Sequence, residues 1–191
     1  ARKCNVRELS SFETNTFLEN YHIQGTVKSS VKLGLFFENK LVACMTFGKP
    51  RNHRETIIYA PDHYELLRFC SSENVVGGAS KLFTYFVRNY NPSRVLSYAD
   101  RHWTSSIKKN IYDTLGFIKT SDGQLNYWYV IDDHRKHRFE FRKSELKKKL
   151  QNFDSNLTEH QNMLNNGYYR IYGCGSLRYE WEKPTTSESS S

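Results

Sequence analysis

The 191-residue sequence lacks the patterns by which small proteins usually bind zinc or form disulfides. Its cysteines form no CxxC pair, and neither they nor the histidines show the spacing of metal ligands. Cys44 and Cys70 stand inside apolar runs typical of strands, which predicts small core residues. The cysteine usage predicts a reducing, cytoplasmic compartment without disulfides, and we expect no metal site.

The sequence also lacks long apolar runs and the familiar nuclease motifs. No run approaches the roughly 18 residues of a membrane span, and there is no signal peptide, so we expect no membrane partner. We find no HNH, GIY-YIG or LAGLIDADG pattern. The letters "PDHYELLR" at 61–68 mimic a PD…E-x-K nuclease site, but the spacing is too tight, and we interpret the match as chance. The chain opens at Ala1 without a methionine, which predicts processing or an origin in a longer protein.

Positive charge is abundant instead. The formal net charge is +8 and the pI about 9.3, which favours DNA as a polyanionic partner over the alternative of a merely solvated basic surface. Eight lysines or arginines between His134 and Leu150, against two glutamates, supply most of this charge. We predict that several of these bind phosphates, and that Trp103, or an aromatic residue of the run 127–129, stacks on a base unless it is a core residue. The nucleic-acid-binding candidates are Arg135, Lys136, Arg138, Arg142, Lys143, Arg101 and Trp103.

Hydrophobic periodicity predicts a mixed α/β sheet with helices on both faces. With 15% aromatic residues the chain is too apolar for a disordered protein. The predicted core elements are helices at 11–21 and 78–90, a short helix ending at Gly116, a hairpin around 38–40, and strands at 64–70, 94–100 and 125–131. We predict a core at 1–131, a basic C-terminal extension packed on it at 132–183, and a disordered tail at 184–191. The extension is predicted to contain helices at 142–153 and 158–164 and a hairpin around 173–175.

The stretch "NVVGGA" at 74–79 lies where a strand passes into a helix. Small residues there let the backbone approach a phosphate, and the amide groups at the helix start point toward it. The alternative is a tight turn that simply requires glycine. With "IYDTLGF" at 111–117, the stretch resembles the phosphate loop and the later Tyr-x-x-x-Gly-Phe segment of the GNAT (acyl-CoA-dependent N-acetyltransferase) fold, with Asn74 where glutamine or arginine is usual. The candidate cofactor-binding residues are Asn74, Gly77, Gly78, Ala79 and Ser80, with acetyl-CoA or another acyl-CoA as the possible cofactor.

Longer segments resemble the acetyltransferase-like domain of phage-encoded homing endonucleases. These are "YELLRFCSSENVVGGASKLFTYFVRNYNPSRVLSYADR", "SSVKLGLFFENKLVACMTFGKPR" and "NGYYRIYGCGSL". The segments at 65–68 and 97–100 are also similar to the phage Mom DNA-modification protein. The resemblance implies a DNA-acting protein in the host bacterial cytoplasm, with any nuclease domain outside this chain. The sequence departs from the pattern in the glycine-free stretch 101–111 and in "IYGCGSL" near the end.

The candidate catalytic residues are Asp100, Tyr112, Arg68 and Ser97. Asp100 closes a strand at its carboxyl edge and could act as a base or orient an amine; the alternative is a strand-end cap. Arg68 is a charge in an apolar strand that either forms a structural ion pair or reaches a phosphate. The resemblance implies that Tyr112 donates a proton to a leaving thiolate, and the alternative is a core tyrosine. Two functions stay open: a DNA-binding, targeting domain of a homing endonuclease, or a transferase that modifies DNA bases. A third, an acetyltransferase for proteins or small amines, would leave the charge incidental.

Overall fold

The structure is a computed structural model that describes residues 1–50, 60–104, 108–123 and 125–184. Its ten strands are β1 Asn5–Glu8, β2 Val31–Phe37, β3 Lys40–Gly48, β4 His63–Ser71, β5 Arg94–Asp100, β6 Ile118–Asp122, β7 Tyr127–Ile131, β8 His134–His137, β9 Tyr169–Tyr172 and β10 Ser176–Glu182. Its α-helices are α1 Ser11–Tyr21, α2 Gly78–Tyr90, α3 Ile111–Leu115, α4 Lys143–Lys149 and α5 Glu159–Asn165. A 3₁₀ turn spans Arg138–Phe141.

The chain divides into two compact units. The core unit comprises Ala1–Asp122 and the chain from Leu177 onward, and the inserted unit comprises Gly123–Ser176. The insertion therefore lies between β6 and β10, two strands that pair antiparallel in the core unit.

The core unit is built on one seven-stranded sheet of order β1-β2-β3-β4-β5-β10-β6. The first four strands pair antiparallel, and β4 pairs parallel with β5 through α2. A parallel pair requires a crossover connection, and the apolar stripe of α2 lets that helix pack on the sheet. The predicted mixed α/β sheet is confirmed.

Apolar side chains cover both faces of this sheet. On one face Phe86 of α2 stacks on Phe47 of β3, with ring centroids 3.6 Å apart. On the other face the fully buried Leu18 of α1 packs with Cys44 and Cys70, which pair across β3 and β4. Burial of these two thiols confirms that they are core residues. Ser10 is the N-cap of α1 and forms a capping box with Glu13.

The inserted unit has its own small sheet and core. Its strands have the order β8-β7-β9, and the β7–β8 turn is formed by Asp132 and Asp133, both with positive φ as a two-residue hairpin turn requires. The fully buried Tyr129 packs with residues of α4 and α5, including Leu146 and Met163. Burial of Tyr129 in this core leaves it no free face for a base.

Several elements differ from the sequence-based prediction. The strand predicted at 125–131 corresponds to β7, which pairs in the small sheet and not in the core sheet. The strand that follows α3 in the core sheet is β6, which was not predicted. All residues of β6 are exposed, so its sequence shows no alternation of buried and exposed side chains. The predicted hairpin around 173–175 is wrong, since β9 pairs with β7 and β10 pairs with β6. The helix predicted to run to residue 153 ends at Lys149. The division at 122/123 and 176/177 also differs from the predicted boundary after residue 131.

Other predictions agree with the structure. The helices at 11–21 and 78–90 and the strand at 94–100 have the predicted bounds, and Gly116 ends α3 in the left-handed conformation with φ +82°. Residues 105–107, which precede the helix predicted to end at Gly116, and most of the predicted tail at 184–191 lie outside the described residues. No described helix is long and apolar enough to cross a membrane.

Candidate functional site

The sheet opens between β4 and β5. Their parallel pairing runs from His63 opposite Arg94 to Leu66 opposite Ser97, and it stops there although both strands continue. Beyond this last pair, the carboxyl ends of the two strands no longer pair with each other. Open α/β sheets bind ligands at such carboxyl edges.

A bulge in β4 lies at the point of divergence. Thr46 of β3 pairs with Arg68 and Phe47 pairs with Leu66, so Leu67 is an extra residue in β4. Bulges bend a strand and increase its twist. The bulge therefore accounts for why β4 turns away from β5 after Leu66.

Ser97 and Tyr112 meet at this opening. Ser97 is buried, and its hydroxyl donates a hydrogen bond to the Leu66 carbonyl oxygen at 3.0 Å. The Tyr112 hydroxyl of α3 lies 3.5 Å from the Ser97 hydroxyl. The structure thus brings together two of the four predicted catalytic residues.

Two further residues hold Tyr112 in place. Its ring stacks on Tyr179 of β10, with centroids 4.4 Å apart and planes at 12°, and the Asn110 side-chain amide donates to the Tyr179 hydroxyl at 2.9 Å. Asn110 also caps α3. Asn110 and Tyr179 were not among the predicted site residues. Tyr179 belongs to a strand that follows the insertion, and its neighbours in the sequence form no motif that would indicate a functional role.

The environment of Tyr112 keeps its hydroxyl protonated. Burial raises the pKa of Tyr112 above its ordinary value, the hydrogen bond with Ser97 partly opposes this, and neighbouring Tyr179 adds to the increase. At neutral pH the group is a phenol, which can donate a proton but cannot accept one as a base.

The loop after β4 presents free amide groups. Gly77 has φ +74°, and a Cβ added there would meet only the Ala1 Cβ, at 3.9 Å. Gly78 is buried, and a Cβ added to it would lie 3.2 Å from Leu35. Among the described residues, none accepts a hydrogen bond from the amides of Ala79 or Ser80 in the first turn of α2. The predicted residues thus form a glycine-rich helix start with unsatisfied donors, as a phosphate cradle needs.

The amino-terminal segment, residues 1–4, lies next to this loop, and this contact was not predicted from the sequence. The Lys81 ammonium donates to the Ala1 carbonyl oxygen at 3.1 Å, so α2 and the segment 1–4 are joined. A cavity of about 570 Å³ lies between the segment and the loop, and Arg2, Lys3 and Asn74 are among its lining residues. Arg2 and Lys3 bring positive charge to the cavity, and Glu73, which also lines it, is paired with Lys40.

The other predicted catalytic residues make structural contacts. Arg68 donates to the Gly25 and Leu67 carbonyl oxygens at 3.2 and 2.8 Å, which ties β4 to the turn after α1. The Asp100 carboxylate accepts a hydrogen bond from the His102 amide at 2.8 Å, as a strand-end cap would. A catalytic role for these two residues stays a prediction.

The predicted nucleic-acid residues lie in both units. Arg101 and Trp103 are exposed in the turn after β5, with Trp103 66% exposed. Arg135, Lys136, Arg138, Arg142 and Lys143 all belong to the inserted unit. In the part of the chain that is described, no cluster of three histidine, cysteine or acidic side chains could hold a metal ion.

Comparison with known proteins finds similarity in structure alone. The sequence matches no protein-family model and no curated protein. The ribosomal-protein-S18-alanine N-acetyltransferase of Escherichia coli matches with a TM-score of 0.54 at 9% identity, over 97% of each chain. A GNAT family acetyltransferase from Elizabethkingia anophelis with acetyl-CoA bound matches with a TM-score of 0.50 at 9% identity, over 96% of this chain and 100% of the other. A Bacillus subtilis acetyltransferase in complex with CoA matches with a TM-score of 0.50 at 10% identity, over 95% and 99%.

The chain has a GNAT acetyltransferase fold. At these identities the similarity establishes the fold and not the reaction. The GNAT fold agrees with the acetyltransferase-like domain that the motifs at 74–79 and 111–117 predicted.

Proposed function

We propose that the protein is an acyl-CoA-dependent transferase that moves an acyl group to an amine. The observation that carries the proposal is the opening between β4 and β5, where Tyr112 and Ser97 lie at the last backbone pair and the free amides of α2 follow the same strand. The structural neighbours from Elizabethkingia anophelis and Bacillus subtilis were determined with acetyl-CoA and CoA, which supports the same class of donor here.

The residues present fit such a donor. Gly77 leaves open space at the helix start, and the amides of Ala79 and Ser80 have no acceptor among the described residues. The first turn of α2 carries no acidic side chain that would repel a phosphate. Backbone donors at a helix start favour an anion through both hydrogen bonds and the helix dipole.

The groups at the opening have distinct tasks. When bound, acyl-CoA supplies an acyl group activated by its bond to sulfur. Ser97 fixes the end of the pairing through Leu66, and Tyr112 holds a proton on its phenol oxygen at that point. The stacked ring of Tyr179 limits the movement of Tyr112. A protonated, positioned hydroxyl is suited to act as general acid toward a leaving group.

As the acceptor we propose an amine of a DNA base. The net charge of +8 supports a polyanionic substrate, as does the sequence resemblance to phage proteins that act on DNA. The proposal extends from the fold to a substrate and therefore needs its own test.

Donor binding and base modification should be measured separately. Native mass spectrometry and calorimetric titration with acetyl-CoA test the first, and mass spectrometry of nucleosides from treated DNA tests the second. We expect one bound donor per chain and an acyl mass increase on one nucleoside. Absence of binding at millimolar donor would refute the transferase, whereas binding without modified nucleosides would refute only DNA as acceptor.

A second candidate function is a DNA-binding, targeting module without transferase activity. The basic stretch between His134 and Leu150 favours it, because lysines and arginines that neutralise phosphates give affinity by counterion release. Such a module binds duplex DNA with a steep salt dependence and binds no donor. Replacing Arg135, Lys136, Arg138, Arg142 and Lys143 by alanine should then abolish binding at moderate salt; unchanged binding would make the charge incidental.

A further inference from the structure

One face of the small sheet in the inserted unit is not used by that unit's own core. On the core side, Tyr129 of β7 packs with Leu146 and Met163 of the two helices. Side chains alternate across a strand, so the register places the neighbouring residues on the opposite side. We call this side the outer face. Its residues are Trp128, Val130, Arg135, His137, Tyr169 and Ile171.

Aromatic rings flanked by arginines lie along this side of the sheet. The Arg135 guanidinium lies over the Trp128 ring at 5.2 Å, and the Trp128 and His137 rings are 6.5 Å apart. His137 contacts Phe139 at 4.8 Å, and the Arg142 guanidinium lies over Phe139 at 4.7 Å. These contacts make a row that runs from Arg135, Trp128 and His137 of the outer face to Phe139 and Arg142, which follow β8 in the chain.

Two of the rings and one aliphatic side chain on this side are exposed to solvent. Phe139 is 54% exposed and Tyr169 65% exposed, and Ile171 between the rings is 37% exposed. The Trp128 ring packs closely against the backbone of Gly173, where an added Cβ would come within 2.8 Å of the ring. The glycine lets Trp128 rest directly on the backbone, which fixes one ring of the row. A fixed, partly exposed apolar face of this kind indicates a binding surface.

We propose that the outer face binds single-stranded DNA. Exposed rings provide stacking surfaces for bases, and neighbouring arginines neutralise phosphates. A duplex hides the faces of its bases, so stacking favours an unpaired strand. DNA rather than RNA is the occupant we propose because the inference rests on the DNA-base acceptor of the proposed function. The inference deepens the DNA-acting part of the proposed function and rests on it.

Fluorescence anisotropy of the full chain with a labelled thymidine oligonucleotide of about 15 nucleotides tests the inference. Tyr169→Ala should weaken binding at least about fivefold, whereas Tyr169→Phe should keep most of it because the ring remains. Arg135→Ala should lower the slope of log affinity against log salt by about 0.7, the value for one phosphate contact on a single strand. Lys147→Ala is the matched control: it removes one exposed positive charge from α4, the helix on the other side of the sheet.

Each outcome decides the inference. It is supported if Tyr169→Ala binds clearly more weakly than both Tyr169→Phe and Lys147→Ala. Equal affinity for the three variants would overturn it, as would tighter binding of the matching duplex or of a uridine RNA. Acetyl-CoA titration of the same Tyr169→Ala protein separates the two proposals. Unchanged donor binding with weakened DNA binding assigns the effect to the outer face alone, and loss of both in a folded protein would refute a separate surface.

Discussion

The most direct test of the phosphate cradle changes the charge at one glycine. Gly77 has φ +74°, a conformation that asparagine and aspartate tolerate better than other side chains, and only the Ala1 Cβ approaches the position of an added Cβ. Gly77→Asp and Gly77→Asn therefore differ mainly in charge. Because both side chains have the same shape and the same backbone preference, steric and conformational costs cancel in the comparison.

The expected magnitude follows from the distance between charges. A carboxylate at the start of α2 would lie within ~4 Å of a phosphate held by the same amides, where two unit charges repel by about 1 kcal/mol in water and about 4 kcal/mol at an effective dielectric constant near 20. Gly77→Asp should thus bind acetyl-CoA at least about fivefold more weakly than Gly77→Asn.

The assay is calorimetric titration with acetyl-CoA at low salt, with thermal unfolding of both variants in parallel. A negative charge at a helix start stabilises the helix, so Gly77→Asp should unfold at no lower temperature than Gly77→Asn. Weaker binding in the more stable variant cannot come from unfolding. Equal affinity of the two variants would refute a phosphate at this helix start.

Three further predictions concern the opening, the core and the inserted unit. Tyr112→Phe should lower kcat by about 100-fold with little change in KM, since general acid catalysis contributes about 10²–10⁴. The difference in tyrosinate absorbance between the wild type and this variant reports the titration of Tyr112. Because burial raises the pKa of Tyr112, this difference should appear only above pH ~10, the ordinary tyrosine pKa. A lower midpoint would contradict the raised pKa. Burial raises the pKa of Cys44 to about 12 and that of Cys70 to about 11 from an ordinary 9.0. Between pH 9.0 and about 11 the unfolded thiols lose protons that the folded ones keep, so the free energy of unfolding should fall with rising pH by about 1.4 kcal/mol per pH unit per thiol, relative to a variant with both cysteines replaced by alanine. Parallel urea-unfolding profiles for the two proteins would contradict this. Asn162 is 1% exposed, and its side chain accepts a hydrogen bond from the Asp154 amide at 2.8 Å and donates one to the Asp154 carbonyl oxygen at 2.9 Å. Asn162→Ala should therefore lower the free energy of unfolding by about 1–3 kcal/mol and accelerate amide exchange more in the inserted unit than in α2 of the core unit. Equal acceleration in both units would show that they unfold together.

Local signals in the sequence predicted the elements of the core unit well. The helix 78–90 combines an apolar stripe with a glycine at its start and Asn91 at its end, and the structure gives it the same bounds. Both cysteines of the apolar runs are buried, as their neighbours predicted. Periodicity failed at β6, where every residue is exposed, because an edge strand without a buried face carries no alternation.

The candidate site could be predicted only in part. The glycine loop and Tyr112 belong to short motifs that can be read along the chain. The bulge at Leu67 depends on the register between β3 and β4, and Tyr179 reaches Tyr112 only because β10 returns to the core sheet after the insertion. Neither the bulge nor the contact between Tyr179 and Tyr112 has a local sequence signal, since both depend on strand pairing between distant residues.

The class of fold, the main helices and the concentration of positive charge can all be predicted from the sequence alone, because they follow from local periodicity, capping residues and composition. Tertiary structure decided where the pairing of β4 and β5 ends, and which partners hold Tyr112. It also placed the basic stretch in a separate unit with its own small sheet, where arginines lie over the rings of Trp128 and Phe139. These features depend on which strands pair and in what register, and pairing energies are summed over contacts that no single segment of the chain contains.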